Sequence, residues 1–186
     1  MTNHLRFTAL NTQRLKLRDF TAADLPAFTA YRHDPAVARY QSWESYDMDM
    51  AQQFFALQQA LSFNQPGSWY QIAIADLHSD AILGDCVVHF IEDDDQLVEI
   101  GFTLATEHQG QGYGKEAITA LLECIFNQLG KRRAIAVTDV ENAGSIALLE
   151  ALGFRQEAHF VENVLFKGCW GSEYLYALLA REFRAG

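Results

Sequence analysis

Gln109-Gly110-Gln111-Gly112-Tyr113-Gly114-Lys115 decides how this chain is read. It follows an alternating apolar run at residues 97–104 and opens a periodic helix predicted over residues 115–129. Glycine at every second position lets the backbone take left-handed dihedrals and approach a ligand closely, leaving several N–H groups aimed into one concavity. The helix that starts there adds its unpaired N–H groups and the positive end of its dipole, which favours an anion. One glycine would serve an ordinary strand-to-helix turn, whereas three in five residues point to a phosphate cradle.

Two familiar phosphate loops do not fit. In the dinucleotide fingerprint G-x-G-x-x-G the third glycine comes one residue later than here, and no acidic residue ends a following strand at the usual distance. The P-loop requires four residues between its first glycine and Gly-Lys-Ser/Thr, but residues 111–113 alone separate Gly110 from Gly114, and Glu116 follows Lys115. A Q/R-x-x-G-x-G/A pattern is satisfied by Gln109, Gly112 and Gly114.

Working outward, residues 97–104 alternate as a strand with Val98, Ile100, Phe102 and Leu104 on one face and Leu97, Glu99, Gly101 and Thr103 on the other. After the loop, Ile118, Leu121, Leu122, Ile125 and Leu129 form a helical stripe that Gly130 ends. Residues 134–137 are continuously apolar, as in a strand buried on both faces, so the unit reads strand, helix, parallel strand. Upstream, residues 13–20 alternate as a first strand, and Thr21 with Asp24 makes a capping-box-like helix start running until Asp34-Pro35 interrupts it. A second helix is predicted over residues 47–63, and the connector Tyr40-Gln41-Ser42-Trp43 is a candidate wall of a substrate groove. Strands at 69–75 and 82–91 follow, and the acidic turn Glu92-Asp93-Asp94-Asp95 reads as a solvated hairpin turn rather than a calcium loop. Downstream, Asn142 caps a short helix ending at Leu152-Gly153. Strands at 154–166 and 174–179 then flank Lys167-Gly168-Cys169-Trp170-Gly171 as a closing hairpin, whose turn is the other candidate groove wall.

The length of 186 residues suits one domain, residues 1–186, with a sizeable core. A net charge of −10 argues against a general nucleic-acid or anionic membrane surface. A polyanionic ligand would be held locally by backbone dipoles, while a cationic partner would be attracted at longer range. Cys86, Cys124 and Cys169 form no C-x-x-C pair, the histidines show no ligand spacing, and neither a metal site nor a disulfide framework is indicated. No leader-like segment is apparent, and the expectation is a cytoplasmic monomer or homodimer.

The loop pattern resembles the pyrophosphate loop of the GNAT superfamily of acetyl-CoA-dependent N-acetyltransferases. Asn142, Ser145, Leu148 and Leu152-Gly153-Phe154 are similar to that family's N-x-x-[AS]-x-x-L…GF element. The opening Thr12-Gln13-Arg14-Leu15-Lys16-Leu17-Arg18, and Gly168-Cys169-Trp170 with Leu175-Tyr176-Ala177-Leu178-Leu179, resemble the branch of ribosomal-protein N-terminal acetyltransferases. The resemblance implies an α/β (α+β) single domain, with a mixed, mostly antiparallel central sheet flanked by helices and a splayed parallel pair holding the cofactor. It implies acetyl-CoA as co-substrate and no metal. Backbone groups of Phe102, Thr103 and Leu104 would pair with the pantetheine arm. N–H groups of Gln109, Gly110, Gln111, Gly112, Tyr113, Gly114 and Lys115 would hold the pyrophosphate. Asn142 would bind the pantetheine arm, a role compatible with capping its helix.

Acetyl transfer to an amine needs a neutral nitrogen, a polarised thioester carbonyl and a proton for the departing thiolate. Glu99 lies mid-strand, where a charge is costly unless it faces a polar cleft or the outside. The resemblance makes it the general base, acting directly or through water. Where many members carry a tyrosine general acid, this chain has Leu149. Ser145 is then the substitute acid, or a helix-start residue without a chemical role. A thiol pKa of about 8.5 means the leaving group needs little help. A backbone N–H near Phe102, Thr103 and Leu104 would polarise the carbonyl. The expected function is N-acetyl transfer by direct attack in a ternary complex to a protein or peptide N-terminus such as that of a ribosomal protein, without direct nucleic-acid or membrane contact. Polyamine or aminoglycoside acetylation, and a non-catalytic acyl-CoA sensor, are the alternatives.

Overall fold

The computed structural model describes residues 5–184, so the ends of the expected 1–186 domain lie outside the described residues. In chain order come β1 (Leu10–Asn11), β2 (Leu15–Arg18), a 3-10 turn at Ala22–Asp24, α1 (Leu25–His33), α2 (Pro35–Ala38) and α3 (Met48–Ala60). The antiparallel run β3 (Trp69–Asp76), β4 (Ile82–Phe90) and β5 (Leu97–Leu104) leads into α4 (Tyr113–Glu123) and β6 (Arg133–Asp139). The chain closes with α5 (Ala143–Ala151), β7 (Arg155–Phe166) and β8 (Cys169–Leu179). Among the described residues these strands form one sheet in the order β1-β2-β3-β4-β5-β6-β8-β7, antiparallel except at β5 and β6. Parallel neighbours need a crossover, and α4 supplies it.

The parallel pairing is short. Leu97, Val98 and Glu99 face Arg133, Ala134 and Ile135, and the register ends there although β5 continues to Leu104 and β6 to Asp139. Each strand remains laddered along its other side, β5 to β4 as far as Leu104↔Gly84 and β6 to β8 as far as Asp139↔Glu173. The sheet thus opens between two halves that are each held together. In the first half the backbones nearly touch: a Cβ on Gly84 would lie 2.3 Å from the Thr103 carbonyl oxygen, so only glycine fits.

Helices cover both faces. Ile118, Leu121 and Leu122 of α4, with Ile125 just beyond it, are buried together with Val98 and Ile100 from the apolar face expected of β5. On the opposite face Phe28 of α1 and Ala51 of α3 pack with Ala73 of β3.

Several elements depart from the sequence pattern. The helix predicted over 115–129 begins at Tyr113 and, after Glu123, widens into a π turn at Cys124–Gln128, where the Leu129 N–H donates to the Cys124 carbonyl at 3.0 Å. Asp34-Pro35 ends one helix and starts another: Pro35 opens α2, and Asp34 Oδ1 accepts the Ala36 N–H at 2.9 Å. The closing hairpin turns in two residues, Lys167 and Gly168, both at positive φ (49° and 81°), so Cys169, Trp170 and Gly171 belong to β8 and not to a longer connection.

One buried ion pair fixes the start of α1. Arg18 donates from Nη1 and Nη2 to Asp24 Oδ2 and Oδ1 at 2.7 and 2.9 Å, and the Thr21 N–H donates to Oδ2 at 2.7 Å. Burial pushes the Asp24 carboxyl up, but Arg18 and Thr21 together outweigh it and hold the group below the usual range. Stripping one partner from a buried pair costs about 3–5 kcal/mol. The exposed Arg39–Glu141 pair, at 2.9 Å, belongs to a class worth at most about 1 kcal/mol. Urea unfolding near neutral pH should show Asp24→Asn losing about 3 kcal/mol and Glu141→Gln less than about 0.5 kcal/mol. The Asp24 contribution is complete above the ordinary carboxylate pKa and is lost as pH falls through its lowered folded value, so the gap between wild type and Asp24→Asn should shrink in acid.

Candidate active site

Between β5 and α4 the glycine stretch forms an open cradle. Gly110 and Gly112 have φ of 71° and 82°, and Gly112 immediately precedes α4. Gly114 also serves packing: it lies inside α4, and a Cβ there would meet Leu148 Cδ2 of α5 at 3.0 Å, so its smallness lets the two helices approach. Among the described residues, none of the main-chain N–H groups of residues 110–115 donates a hydrogen bond within the protein. A helix start leaves its first N–H groups unpaired in any case. Here the unpaired run begins before the helix does. Of this run, Gly110, Gly112, Gly114 and Lys115 line a cleft of about 460 Å³ whose other walls include Phe102, Leu104, Asn142 and Leu148, whereas the expected contacts Gln111 and Tyr113 are not among its walls. Gln109 lines the same cleft, but its N–H donates to the Thr106 carbonyl at 3.3 Å and its Nε2 to the Leu104 carbonyl at 3.0 Å, so it shapes the loop.

The back of the loop is clamped. Glu116, in the first turn of α4, accepts from Thr12 Oγ1 at 2.6 Å and from Arg14 N–H and Nε, each at 2.7 Å. Arg14 Nη1 donates to the Gln111 carbonyl at 3.0 Å, and the guanidinium lies 4.4 Å from the Tyr113 ring centre. Burial pushes the Glu116 carboxyl up, but Thr12 and Arg14 more than offset it and hold the group low. With its outer side tied to the turn between β1 and β2, the loop keeps its inner amides available.

On the other side of the opening lies a second cleft of about 420 Å³. The two clefts share Tyr40, Gln41, Phe102, Thr103, Asn142 and Ser145 as walls, so a ligand seated in one can reach the other. Asn142 Oδ1 accepts the Ser145 N–H at 3.1 Å, while its Nδ2 donates to no described group, so capping leaves a donor for a ligand. Ser145 Oγ likewise has no partner among the described residues. Leu149, 1 % exposed, forms part of the second cleft and offers no hydroxyl. Tyr40 to Trp43 line this cleft as expected. From the hairpin, however, the lining comes from Val164, Phe166 and Glu173, while Lys167 turns away and donates to the Ala38 carbonyl at 2.7 Å.

Glu99 sits beside this second cleft, on the same strand face as Gly101 and Thr103, which line it. Its Oε2 is 3.7 Å from His89 Nδ1, and the His89 ring stacks on Trp69 at 4.1 Å. Burial raises the Glu99 carboxyl above the usual range, His89 draws it partly back, and nearby Glu173 adds to the rise. A carboxylate that gains protons this readily is suited to accept one from an ammonium. The sequence reading passed over Arg32, Asp85 and Gln71, which meet in the cleft wall. Asp85, 1 % exposed, accepts from Tyr31 Oη, from Gln71 Nε2 and, at 3.1 Å, from Arg32 Nη2.

Residues 14–155, which span both clefts' main walls, match the family model described as the acetyltransferase (GNAT) domain. The chain belongs to the GNAT acetyltransferases. An uncharacterized N-acetyltransferase of Bacillus licheniformis is 29 % identical over 175 residues, covering 94 % of this chain and 97 % of that one. In fold, the chain is similar to a spermidine N-acetyltransferase from Vibrio cholerae solved with CoA and spermine (TM-score 0.78, 21 % identity, 92 % and 98 % of the two chains). It is also similar to the ribosomal-protein-S5-alanine acetyltransferase from Vibrio fischeri (TM-score 0.80, 18 % identity, 96 % and 100 %). GNAT enzymes use acetyl-CoA, and the run of unspent amides on residues 110–115 fits its diphosphate.

The glycines separate two effects in a calorimetric titration with CoA. Gly112→Val forces a β-branched residue to positive φ and should weaken CoA by about 10–100-fold. Gly110→Ala, whose Cβ would meet nothing within 4 Å, should cost about tenfold or less. Gly114→Val should lower thermal stability as well as affinity, through its contact with Leu148. Equal affinity in all three folded variants would contradict the cradle.

Proposed function

We propose that this GNAT enzyme transfers the acetyl group of acetyl-CoA to the terminal amine of a peptide or protein, ribosomal proteins being one class of candidate, by direct attack within a ternary complex. The observation that carries the reading is the shared wall of the two clefts, which lets a thioester held from the amide side meet an amine entering from the other. The cofactor supplies an activated acyl group. Residues 110–115 hold its diphosphate, and the main chain of Phe102 to Leu104, freed from β6, lies alongside its extended arm. Glu99 takes the proton of the incoming ammonium, directly or through a water, and Ser145 Oγ, in the wall shared by the clefts, gives one to the departing sulfur. The name of the Vibrio fischeri neighbour supports a peptide acceptor, as does the similarity of the β2 and β8 sequences to that branch. The unpaired, exposed Cys169 is compatible with action in the reducing cytoplasm.

A second reading is acetylation of a polyamine. It is favoured by Asp139 and Glu173, two carboxylates in the acceptor cleft, and by a spermidine N(1)-acetyltransferase of Vibrio cholerae that is 33 % identical over 70 residues. Thiol release with acetyl-CoA and equimolar panels of short peptides and polyamines separates the two. Faster release with peptides is expected, and silence with every peptide beside turnover of spermidine would reverse the order.

Because burial raises Glu99, the acid limb of kcat/KM should lie above the ordinary glutamate pKa of about 4.3. Activity is lost as pH falls through that limb. Glu99→Gln should lower kcat by about 100-fold or more and remove the limb, while Ser145→Ala should cost about tenfold or less because a thiolate leaves readily. A pH–rate profile on the three proteins checks both statements.

A further inference from the structure

Arg32 is 7 % exposed and lines the acceptor cleft, yet most of its hydrogen-bonding capacity is unused. Nη2 donates to Asp85 Oδ2 at 3.1 Å. Among the described residues neither Nε nor Nη1 has an acceptor; Nε is sealed from solvent, so Nη1 and the remaining N–H of Nη2 are the donors a ligand can reach. The guanidinium cannot easily swing to find one. Its carbon lies 4.3 Å from the Phe28 ring centre and 4.5 Å from that of Trp43, and Trp43 Nε1 in turn donates to the Arg32 carbonyl at 3.0 Å. Asp85 is saturated by comparison, with Tyr31, Gln71 and Arg32 all donating to it. The pair is therefore neutral overall, and what it offers a ligand is donors. A buried cationic donor without an acceptor is costly, and a fixed, always charged guanidinium matches an oxygen.

We propose that Arg32 is an oxygen-binding subsite of the acceptor cleft: the amine this enzyme accepts carries a carbonyl or carboxylate oxygen that the guanidinium holds while the nitrogen meets the thioester. The inference rests on the acetyltransferase reading and narrows it to amino-acyl compounds, with polyamines, which carry no such oxygen, accepted poorly. Asp139 and Glu173 then draw the ammonium in, and Arg32 reads what is attached to it.

The test compares kcat/KM for alaninamide, alanine and isopropylamine, which share a branched carbon bearing the amine. The comparison is made in wild type and in Arg32→Met/Asp85→Asn, a double variant that strands neither buried charge. The ratio of alaninamide to isopropylamine should fall by about tenfold or more in the variant, since a hydrogen bond to a charged group is worth that much. Taking the ratio within each protein cancels the differing basicities of the amines. If the variant lowers the alanine-to-isopropylamine ratio more than the alaninamide-to-isopropylamine ratio, the oxygen is a carboxylate; if the alaninamide ratio falls more, it is a peptide carbonyl. An unchanged ratio in a variant that still binds CoA as wild type does overturns the proposal. Arg32→Lys, which keeps the charge but not the planar donors, replaces the double variant if that one fails to fold, with the same two outcomes. Should no amine release thiol, the acetyltransferase reading fails on its own. Titration of alaninamide into CoA-loaded protein then still decides the subsite: binding weakened by the Arg32 substitution supports it, and absent or unchanged binding overturns it.

Discussion

The parting of β5 from β6 after Glu99 and Ile135 is the constraint on which the rest of the molecule depends. Unpaired strand groups in a protein interior are costly, so a sheet opens only where something else satisfies them. Here each strand keeps a complete ladder on its far side, and the start of α5 fills part of the gap, with the Asn142 N–H donating to the Asp139 carbonyl at 3.0 Å. What is left is an opening lined by strand backbone, suited to an extended ligand that adds itself to an edge. The two clefts are the two mouths of this one opening, and the groups that the proposal assigns to the chemistry lie along or beside it.

Charge is handled locally on both sides. The chain carries a net charge of −10, and on the proposed reading its diphosphate would be held by oriented amides and a helix start with Lys115 nearby. Such a site works only if the loop is held still without using those amides, which is what the Thr12, Arg14 and Glu116 cluster does from behind. On the acceptor side, Asp85 and Arg32 cancel each other in the wall, while Glu99, Asp139 and Glu173 leave the surroundings acidic. A cationic amine is thereby drawn in, and the carboxylate beside the opening is held partly toward its protonated form.

Features set by neighbours in sequence were legible from the start. The alternation of Leu97–Leu104 matches β5 residue for residue, and the stripe from Ile118 to Ile125 is buried as its spacing required. The loop was recognised from glycine spacing, although spacing could not tell a left-handed glycine, Gly112, from a closely packed one, Gly114. The Pro35 helix was missed because proline was read as a stop where it also serves as a first helical residue. The π turn was missed because one extra residue hardly disturbs an apolar stripe. Features that depend on distant pairing left no local trace. Arg14 and Glu116 are 102 positions apart and Arg32 and Asp85 are 53 apart, so an alternating strand and an amphipathic helix were all that the sequence displayed there.

Amide hydrogen exchange on the protein with and without CoA tests the central claim most directly. The account predicts that the amides of residues 110–115, which have no partner among the described residues, exchange rapidly in the free enzyme and become protected when CoA is added, together with the β5 backbone beyond Glu99. Protection that appears elsewhere while these amides continue to exchange freely, or amides already slow without ligand, would contradict it.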